Sequence, residues 1–175
     1  MEIVYQKVRE WKPTTIVELG HGSGALTVAA SIALKEINSK GKIYSYDIIG
    51  ESSYELSGVK SGSVENIKNR GLGEFVQFIK GDVFNTWVKK PTNFDLLMID
   101  IDNTWDKLYK ILIDNKSINN QIKKGSKVLI EGGDPSHPRI NLNTLNLFNS
   151  KFNTPVFKLS YLTGSGRTSI SILEV

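Results

Sequence analysis

A short apolar run near the N-terminus ends in three alternating glycines. Residues 14–26 read TTIVELGHGSGAL, so the run TIVEL leads directly into Gly20, Gly22 and Gly24. Glycine loses more conformational entropy on folding than any other residue, so such a cluster indicates a sharp backbone turn or a close approach to the backbone. A helical pattern of apolar residues follows at once. The segment therefore predicts a buried strand, a tight turn and a helix.

Strand-like and helix-like patterns continue to alternate along the chain. Further strands are predicted in KIYSYDII, EFVQFIK, DLLMIDI and KVLIE, with a short helical piece at 83–90, a long amphipathic helix at 103–123 and a helix at 139–150. The strands are continuous apolar runs, as in a parallel sheet that is covered on both faces. The C-terminal residues predict two strands around a Gly-Ser-Gly turn, which is a hairpin.

This order predicts one α/β domain over residues 1–175. We expect a Rossmann-like, doubly wound sheet of seven strands, mostly parallel, with an antiparallel C-terminal hairpin strand. Residues 50–62, GESSYELSGVKSG, are polar and contain glycine, so we expect a loop there. In such sheets ligands bind beyond the carboxyl ends of the strands, where the winding direction reverses.

Composition excludes several classes of protein. The chain is 39% hydrophobic and 23% charged, and no apolar run approaches the roughly 20 residues that span a bilayer. No cysteine is present, which excludes disulfides and thiolate metal sites, and we expect a cytoplasmic protein without a membrane partner. The net charge is +4, but the lysines are spread in pairs such as Lys89-Lys90, so a nucleic-acid partner is not favoured.

Acidic residues stand at the ends of the predicted strands. Asp47 ends the second strand, about 25 residues after the glycines, where a carboxylate can accept hydrogen bonds from ribose hydroxyls. Asp82 ends the third strand and precedes apolar Val83 and Phe84, a combination that suits an adenine amino group and ring. The glycine turn alone is also compatible with a purely structural strand–helix connection. Acids at successive strand ends favour a ligand site.

At these residues the chain resembles the class I S-adenosylmethionine (SAM)-dependent methyltransferases. VELGHGSG resembles their first motif, Glu/Asp-x-Gly-x-Gly-x-Gly, and IYSYDI resembles their second strand with its ribose-binding acid. VENIKNRGLGEFVQFIKGDV is similar to their third strand and adenine site, and FDLLMIDIDNTWD to the fourth strand of the small O-methyltransferase-like branch. The motifs occur in the family's order over nearly the whole chain, which is more specific than any one motif.

The resemblance implies a cofactor, SAM, and a set of residues that bind it. The glycine turn would hold the methionine part, Asp47 the ribose and Asp82 the adenine amino group, while Asp100 would lie nearest the methionine end and the acceptor. The residues implied to bind the cofactor are Glu18, Gly20, His21, Gly22, Gly24, Asp47, Ile48, Asp82, Val83 and Asp100.

Transfer to an oxygen acceptor also requires a base or a metal. The candidate bases are Asp100, Asp102 and His137, although a histidine in the loop after the fifth strand is also compatible with a surface role. The related branch has His or Lys where this chain has Asn103, and asparagine cannot act as a base near neutral pH.

A magnesium site is a further expectation from the cation-dependent relatives. Asp100 and Glu131 offer two hard oxygen ligands, and Asp134 a candidate third. The alternative is that Asp100 and Glu131 only form hydrogen bonds at the rim of the cleft. The relatives have Asp-Asn where this chain has Glu131-Gly132.

The sequence therefore predicts a SAM-dependent methyltransferase that acts on a small molecule or sugar, at oxygen. The acceptor would meet the 50–63 loop with Tyr54, the 102–106 segment with Trp105 and the 133–141 loop, in a cleft that is open or completed by a second subunit of a homo-oligomer. One alternative is a non-catalytic SAM- or nucleotide-binding module, which Asn103 favours. Another is an RNA or protein methyltransferase, supported only by the basic pI of about 9.2.

Overall fold

The helices and strands alternate through most of the chain. The computed structural model describes residues 1–48, 54–56, 59–101, 105–114, 118, 121–122, 125–132, 150, 158–163 and 169–174. The α-helices are α1 Glu2–Trp11, α2 Ala25–Glu36, α3 Ser63–Asn69 and α4 Trp105–Tyr109. The strands are β1 Thr15–Leu19, β2 Lys42–Asp47, β3 Tyr54–Leu56, β4 Val59–Ser61, β5 Val76–Lys80, β6 Leu96–Ile99, β7 Lys127–Glu131, β8 Lys158–Thr163 and β9 Ser169–Glu174.

The main sheet has the strand order β5-β2-β1-β6-β7-β9-β8. Strands β5, β2, β1, β6 and β7 pair in parallel, whereas β9 pairs antiparallel with both β7 and β8. The winding reverses between β1 and β6, because β2 lies on one side of β1 and β6 on the other. The expectation of an α/β, mostly parallel sheet with an antiparallel C-terminal hairpin is confirmed.

The central strands are buried on both faces. All four residues of β6 are buried, and side chains alternate between two apolar layers. Leu97 and Ile99 pack in the layer that contains Trp87, whereas Leu96 and Met98 pack in the layer that α1, α2 and α3 cover. The continuous apolar runs follow from this double burial.

Residues 50–62 contain a strand pair rather than only a loop. Tyr54–Leu56 pairs antiparallel with Val59–Ser61 in a small separate sheet, which corrects the sequence prediction. Tyr, Leu and Val flank Ser-Gly here, and this short hairpin signal is masked by the polar composition around it.

Two predicted helices differ from the structure, and a third cannot be compared with it. The segment 83–90 forms a series of hydrogen-bonded turns, with the Thr86 N–H donating to the Asp82 carbonyl oxygen at 2.9 Å. In the predicted 103–123 helix, α4 continues as a π-helical stretch, Lys110–Asp114. The predicted 139–150 helix lies outside the described residues except for Ser150. No helix within the described ranges has the length and apolar character that crossing a bilayer requires.

Candidate functional site

The three glycines of the turn after β1 are required for different reasons. Gly20 has φ +83°, and an added Cβ would lie 2.2 Å from the carbonyl oxygen of Asp100. Gly24 has φ +81°, and an added Cβ would lie 2.6 Å from the Cβ of Ser63. Gly22, at φ +46°, has no atom of the described residues within 4 Å of an added Cβ. Two glycines therefore permit close packing within the protein, whereas Gly22 borders open space.

Asp47, at the end of β2, holds the glycine turn in place. Its Oδ2 accepts hydrogen bonds from the backbone N–H groups of His21 at 2.9 Å and Gly22 at 3.1 Å. Asp47 thus couples the turn to β2 and also borders the cavity described next.

A cavity of about 350 Å³ lies at the carboxyl ends of β1, β2, β5 and β6, across the point where the winding reverses. This is where ligands bind in doubly wound sheets. Six of the residues predicted from sequence to bind a cofactor line it together: Gly20, Asp47, Ile48, Asp82, Val83 and Asp100. Phe84, Ile101 and Lys107 are the other described residues that line it.

Sequence reasoning did not assign Ile101 or Lys107 to the site. Ile101 directly follows Asp100, so its position after a strand end was an available signal. Lys107 lies in α4, and only the docking of that helix brings it to the cavity. Nothing local to the sequence around Lys107 distinguishes it from an ordinary helix lysine.

Asp82 is exposed at the end of β5 and organises the turn that follows. Its Oδ1 accepts a hydrogen bond from the backbone N–H of Phe84 at 2.8 Å. Gly81 precedes it with φ +150°, and an added Cβ there would lie 2.4 Å from Cγ2 of Thr86. The turn therefore folds tightly and brings Val83 and Phe84 to the cavity wall.

Asp100, at the end of β6, is a cavity acid with a raised pKa. Burial, together with the negative charges of Glu131 and Asp47, raises the pKa of its carboxyl to about 6. Two like charges therefore act on Asp100, one from the end of the adjacent strand β7 and one from the end of β2, on the far side of β1. A carboxyl with a pKa near 6 is mostly ionised at neutral pH and still accepts protons readily.

Glu18 lies beneath the glycine turn, and it is not among the residues that line the cavity. It is fully buried and accepts hydrogen bonds from Thr27 Oγ1 at 2.7 Å and from Ser45 Oγ at 2.5 Å. Burial raises the pKa of Glu18 to about 7, although the bonds from Ser45 and Thr27 act in the opposite direction. Glu18 thus links α2 and β2 inside the protein.

The other residues of the glycine turn do not line the cavity as the described residues define it. The His21 side chain is buried and meets the Phe78 ring edge-on at 5.1 Å between centroids. Its contribution toward the cavity is the backbone N–H bound to Asp47. Gly22 and Gly24 also lie outside the cavity lining.

Several predicted residues lie outside the described part of the chain. These are Asp102, Asn103, Asp134 and His137. Glu131, at the end of β7, is among the described residues, and its negative charge raises the pKa of Asp100. Among the described residues no group of three or more His, Asp or Glu could hold a metal ion, so the magnesium expectation gains no support there.

Comparison with solved structures identifies the fold. The SAH-bound methyltransferase PaMTH1 of Podospora anserina matches with a TM-score of 0.62 at 18% identity, over 98% of this chain and 76% of that one. The O-methyltransferase TomG of Streptomyces achromogenes, solved with SAM, matches with a TM-score of 0.63 at 16% identity, over 99% and 78%. The chain has the class I methyltransferase fold.

A candidate rRNA methylase from Clostridium thermocellum shares the same fold. It matches with a TM-score of 0.62 at 11% identity, over 99% of this chain and 93% of that one. No protein-family model and no curated protein matches the sequence. At these identities the structural likeness establishes the fold, and the site residues must carry the argument for function.

Proposed function

We propose that this protein is a SAM-dependent methyltransferase that methylates an oxygen atom of a small molecule or sugar. One observation carries the proposal: Asp47, Asp82 and Asp100, from the ends of three strands, line a single cavity beside Gly20. Structures of the same fold, PaMTH1 and TomG, contain SAH and SAM respectively, which supports an adenosyl ligand here.

The residues of the cavity fit SAM chemically. Asp47 suits ribose hydroxyls, and Asp82 suits the adenine amino group, since carboxylates accept hydrogen bonds from both. Val83, Phe84 and Ile101 supply apolar walls for the ring. The open space beside Gly22 leaves room for the methionine part along the turn. Three carboxylates also favour a ligand that carries a sulfonium and an ammonium charge.

Methyl transfer then requires positioning of the acceptor and removal of its proton. When bound, SAM supplies a methyl group that its sulfonium already activates. Asp100 is our first choice for the base, because its raised pKa of about 6 lies close to the operating range of general bases. Asp102 and His137 remain candidates for the same role. A magnesium titration of wild type and Asp100→Asn tests whether a bound cation also promotes removal of the acceptor's proton.

The direct test combines cofactor binding with methyl transfer. Wild type should bind SAH by calorimetry and transfer tritiated methyl groups from SAM to members of a panel of hydroxylated small molecules. Asp47→Asn should weaken SAH binding at least about tenfold, because it weakens charge-assisted hydrogen bonds. The matched control is Asp114→Asn, an exposed aspartate outside the cavity, which should bind SAH as wild type does.

Each failure of this test has its own meaning. The proposal is refuted if the protein binds neither SAM nor SAH but does bind nicotinamide nucleotides. Binding of SAH without transfer to any acceptor favours the alternative of a non-catalytic SAM-binding module. The unfolding temperature of Asp47→Asn without ligand must also be measured, since Asp47 supports the glycine turn.

An RNA acceptor is the second candidate. The candidate rRNA methylase is similar in length to this chain, and the net charge here is +4. Methyl transfer to RNA whose binding weakens steeply with added salt would favour it, because phosphate contacts release counterions. Transfer to small molecules alone would exclude it.

A further inference from the structure

His21 and Ser63 form a buried polar pair between the glycine turn and the first residue of α3. His21 is 3% exposed and Ser63 is fully buried. Nδ1 of His21 lies 2.9 Å from Oγ of Ser63, although the two residues are 42 positions apart in the chain. The pair therefore connects two segments that only the tertiary structure brings together.

Residues in the first turn of α3 also contact Ser23 and Gly24 of the glycine turn. Cβ of Ser63 lies so close to Gly24 that any side chain there would collide with it. The side-chain amide of Asn66 donates a hydrogen bond to the carbonyl oxygen of Ser23 at 3.5 Å. Ser63 thus contacts the turn twice: its Cβ packs against Gly24, and its hydroxyl forms the hydrogen bond with His21.

The surroundings of the imidazole assign its proton to Nδ1. This nitrogen lies 3.3 Å from the carbonyl oxygen of Gly22, which can only accept a hydrogen bond. The carboxylate of Asp47, 4.0 Å away, also favours a proton on this side of the ring. Nδ1–H therefore donates toward Ser63 Oγ and the Gly22 carbonyl.

The opposite ring nitrogen, Nε2, indicates that the hydrogen bonds of His21 are made through Nδ1. Nε2 is buried and has no hydrogen-bond partner among the described residues. An apolar ring would pack against Phe78 without leaving such an atom unpaired. We infer that the hydrogen bonds of Nδ1 offset the unfavourable burial of Nε2.

We propose that His21 and Ser63 are positioning residues for cofactor binding: their hydrogen bond holds the glycine turn in the shape that presents its amides to Asp47. The backbone N–H of His21 and that of Gly22 both bind Asp47 Oδ2, so rotation of the turn would move the carboxylate that borders the cavity. This inference rests on the proposed function, because it names the cofactor whose binding is affected.

The test compares SAH affinity by calorimetry in five proteins. Ser63→Ala and His21→Gln should each bind SAH about tenfold more weakly than wild type, the effect of one lost hydrogen bond. His21→Asn should stay within about threefold, because its amide nitrogen occupies the place of Nδ1. Ser31→Ala is the matched control: it removes a buried serine hydroxyl whose bond, to the Thr27 carbonyl at 2.7 Å, lies within α2.

The rescue by asparagine separates positioning from general packing, because Asn and Gln both remove the ring that contacts Phe78. The positioning role is overturned if Ser63→Ala binds SAH as tightly as Ser31→Ala, or if His21→Asn is no better than His21→Gln. Wild type that does not bind SAH at all would instead refute the proposed function. The two failures are therefore distinguishable.

Nitrogen NMR tests the hydrogen bond without any cofactor. The chain has only two histidines, so His137→Asn assigns the imidazole signals of His21. We expect the shift of a protonated Nδ1 and an unprotonated Nε2, and a change at Nδ1 in Ser63→Ala. A protonated Nε2 in wild type would overturn the assignment.

Discussion

Two sets of polar residues lie near the glycine turn. One set is enclosed in the protein, whereas the other lines the cavity. The buried network consists of Glu18, Thr27 and Ser45, closed off within the protein. The cavity acids are Asp47, Asp82 and Asp100, which line a cavity at the strand ends. Glu18 lies only two residues before Gly20, so proximity in sequence to the turn does not place an acid in the cavity. Asp47, Asp82 and Asp100 lie at or just beyond the ends of β2, β5 and β6, the strands whose carboxyl ends surround the cavity.

The glycines divide by what a side chain at each position would meet, although Gly20 lines the cavity and Gly22 does not. Gly20 and Gly24 face protein atoms at distances that exclude any side chain, whereas Gly22 faces open space. Substitution of Gly20 should therefore alter stability, whereas substitution of Gly22 or of the cavity acids should alter ligand binding or catalysis. Substitutions at these positions should separate the two groups, from the largest effect to the smallest.

Gly20→Ala should have the largest effect. The new Cβ would collide with the Asp100 carbonyl oxygen, and its φ of +83° is strained for alanine. We expect the free energy of unfolding to fall by about 4 kcal/mol, or folding to fail. Urea denaturation measures this. A Gly20→Ala protein as stable as Gly22→Ala would contradict the assigned packing role.

Glu18→Gln should remove a pH dependence of stability. Burial raises the pKa of Glu18 from 4.5 to about 7 in the folded state, so the folded protein holds this proton more tightly than the unfolded chain. Its contribution is fully present below pH 4.5 and is lost as the pH rises to about 7.

The size of this effect follows from the shift. Relative to Glu18→Gln, the unfolding free energy of wild type should fall by about 3 kcal/mol across that interval. Denaturation at a series of pH values measures the difference. The exposed control Glu74→Gln should follow the wild-type curve, and a constant difference between wild type and Glu18→Gln would argue against burial as the cause.

Asp100→Asn should act on catalysis. If Asp100 is the base, kcat should fall about a hundredfold, and kcat/KM of wild type should rise with pH through about 6 as the carboxyl ionises. Glu131→Gln should move that rise to lower pH, since it removes a like charge that raises the pKa of Asp100. A pH profile that neither substitution changes would assign the base elsewhere.

Gly22→Ala should have the smallest effect on stability and a selective effect on binding. Its Cβ meets no atom in the described part of the chain, so the strain of φ +46° opposes it, at about 1 kcal/mol. SAH binding should weaken about tenfold, because the methyl group enters the space proposed for the cofactor. Unchanged SAH affinity by calorimetry would place the ligand away from Gly22.

Local patterns in the sequence predicted much of this protein. Apolar runs and the glycine turn predict a mostly parallel sheet, and the acids at strand ends predict a ligand site with Asp47, Asp82 and Asp100, which line one cavity. These signals are readable because strand burial imposes its pattern on consecutive residues. The hairpin at Tyr54–Leu56 and Val59–Ser61 was missed because its pattern covers only three residues in each strand.

The tertiary structure decided which polar groups face each other. Glu18 is enclosed by Thr27 and Ser45, Lys107 reaches the cavity through the docking of α4, and His21 meets Ser63 across 42 residues. Such contacts join residues far apart in the chain, and hydrogen bonds and burial depend on distances that no local pattern encodes. The sequence by itself determined the order of the elements and the chemistry at their ends, and the packing of those elements determined how that chemistry is divided between interior and cavity.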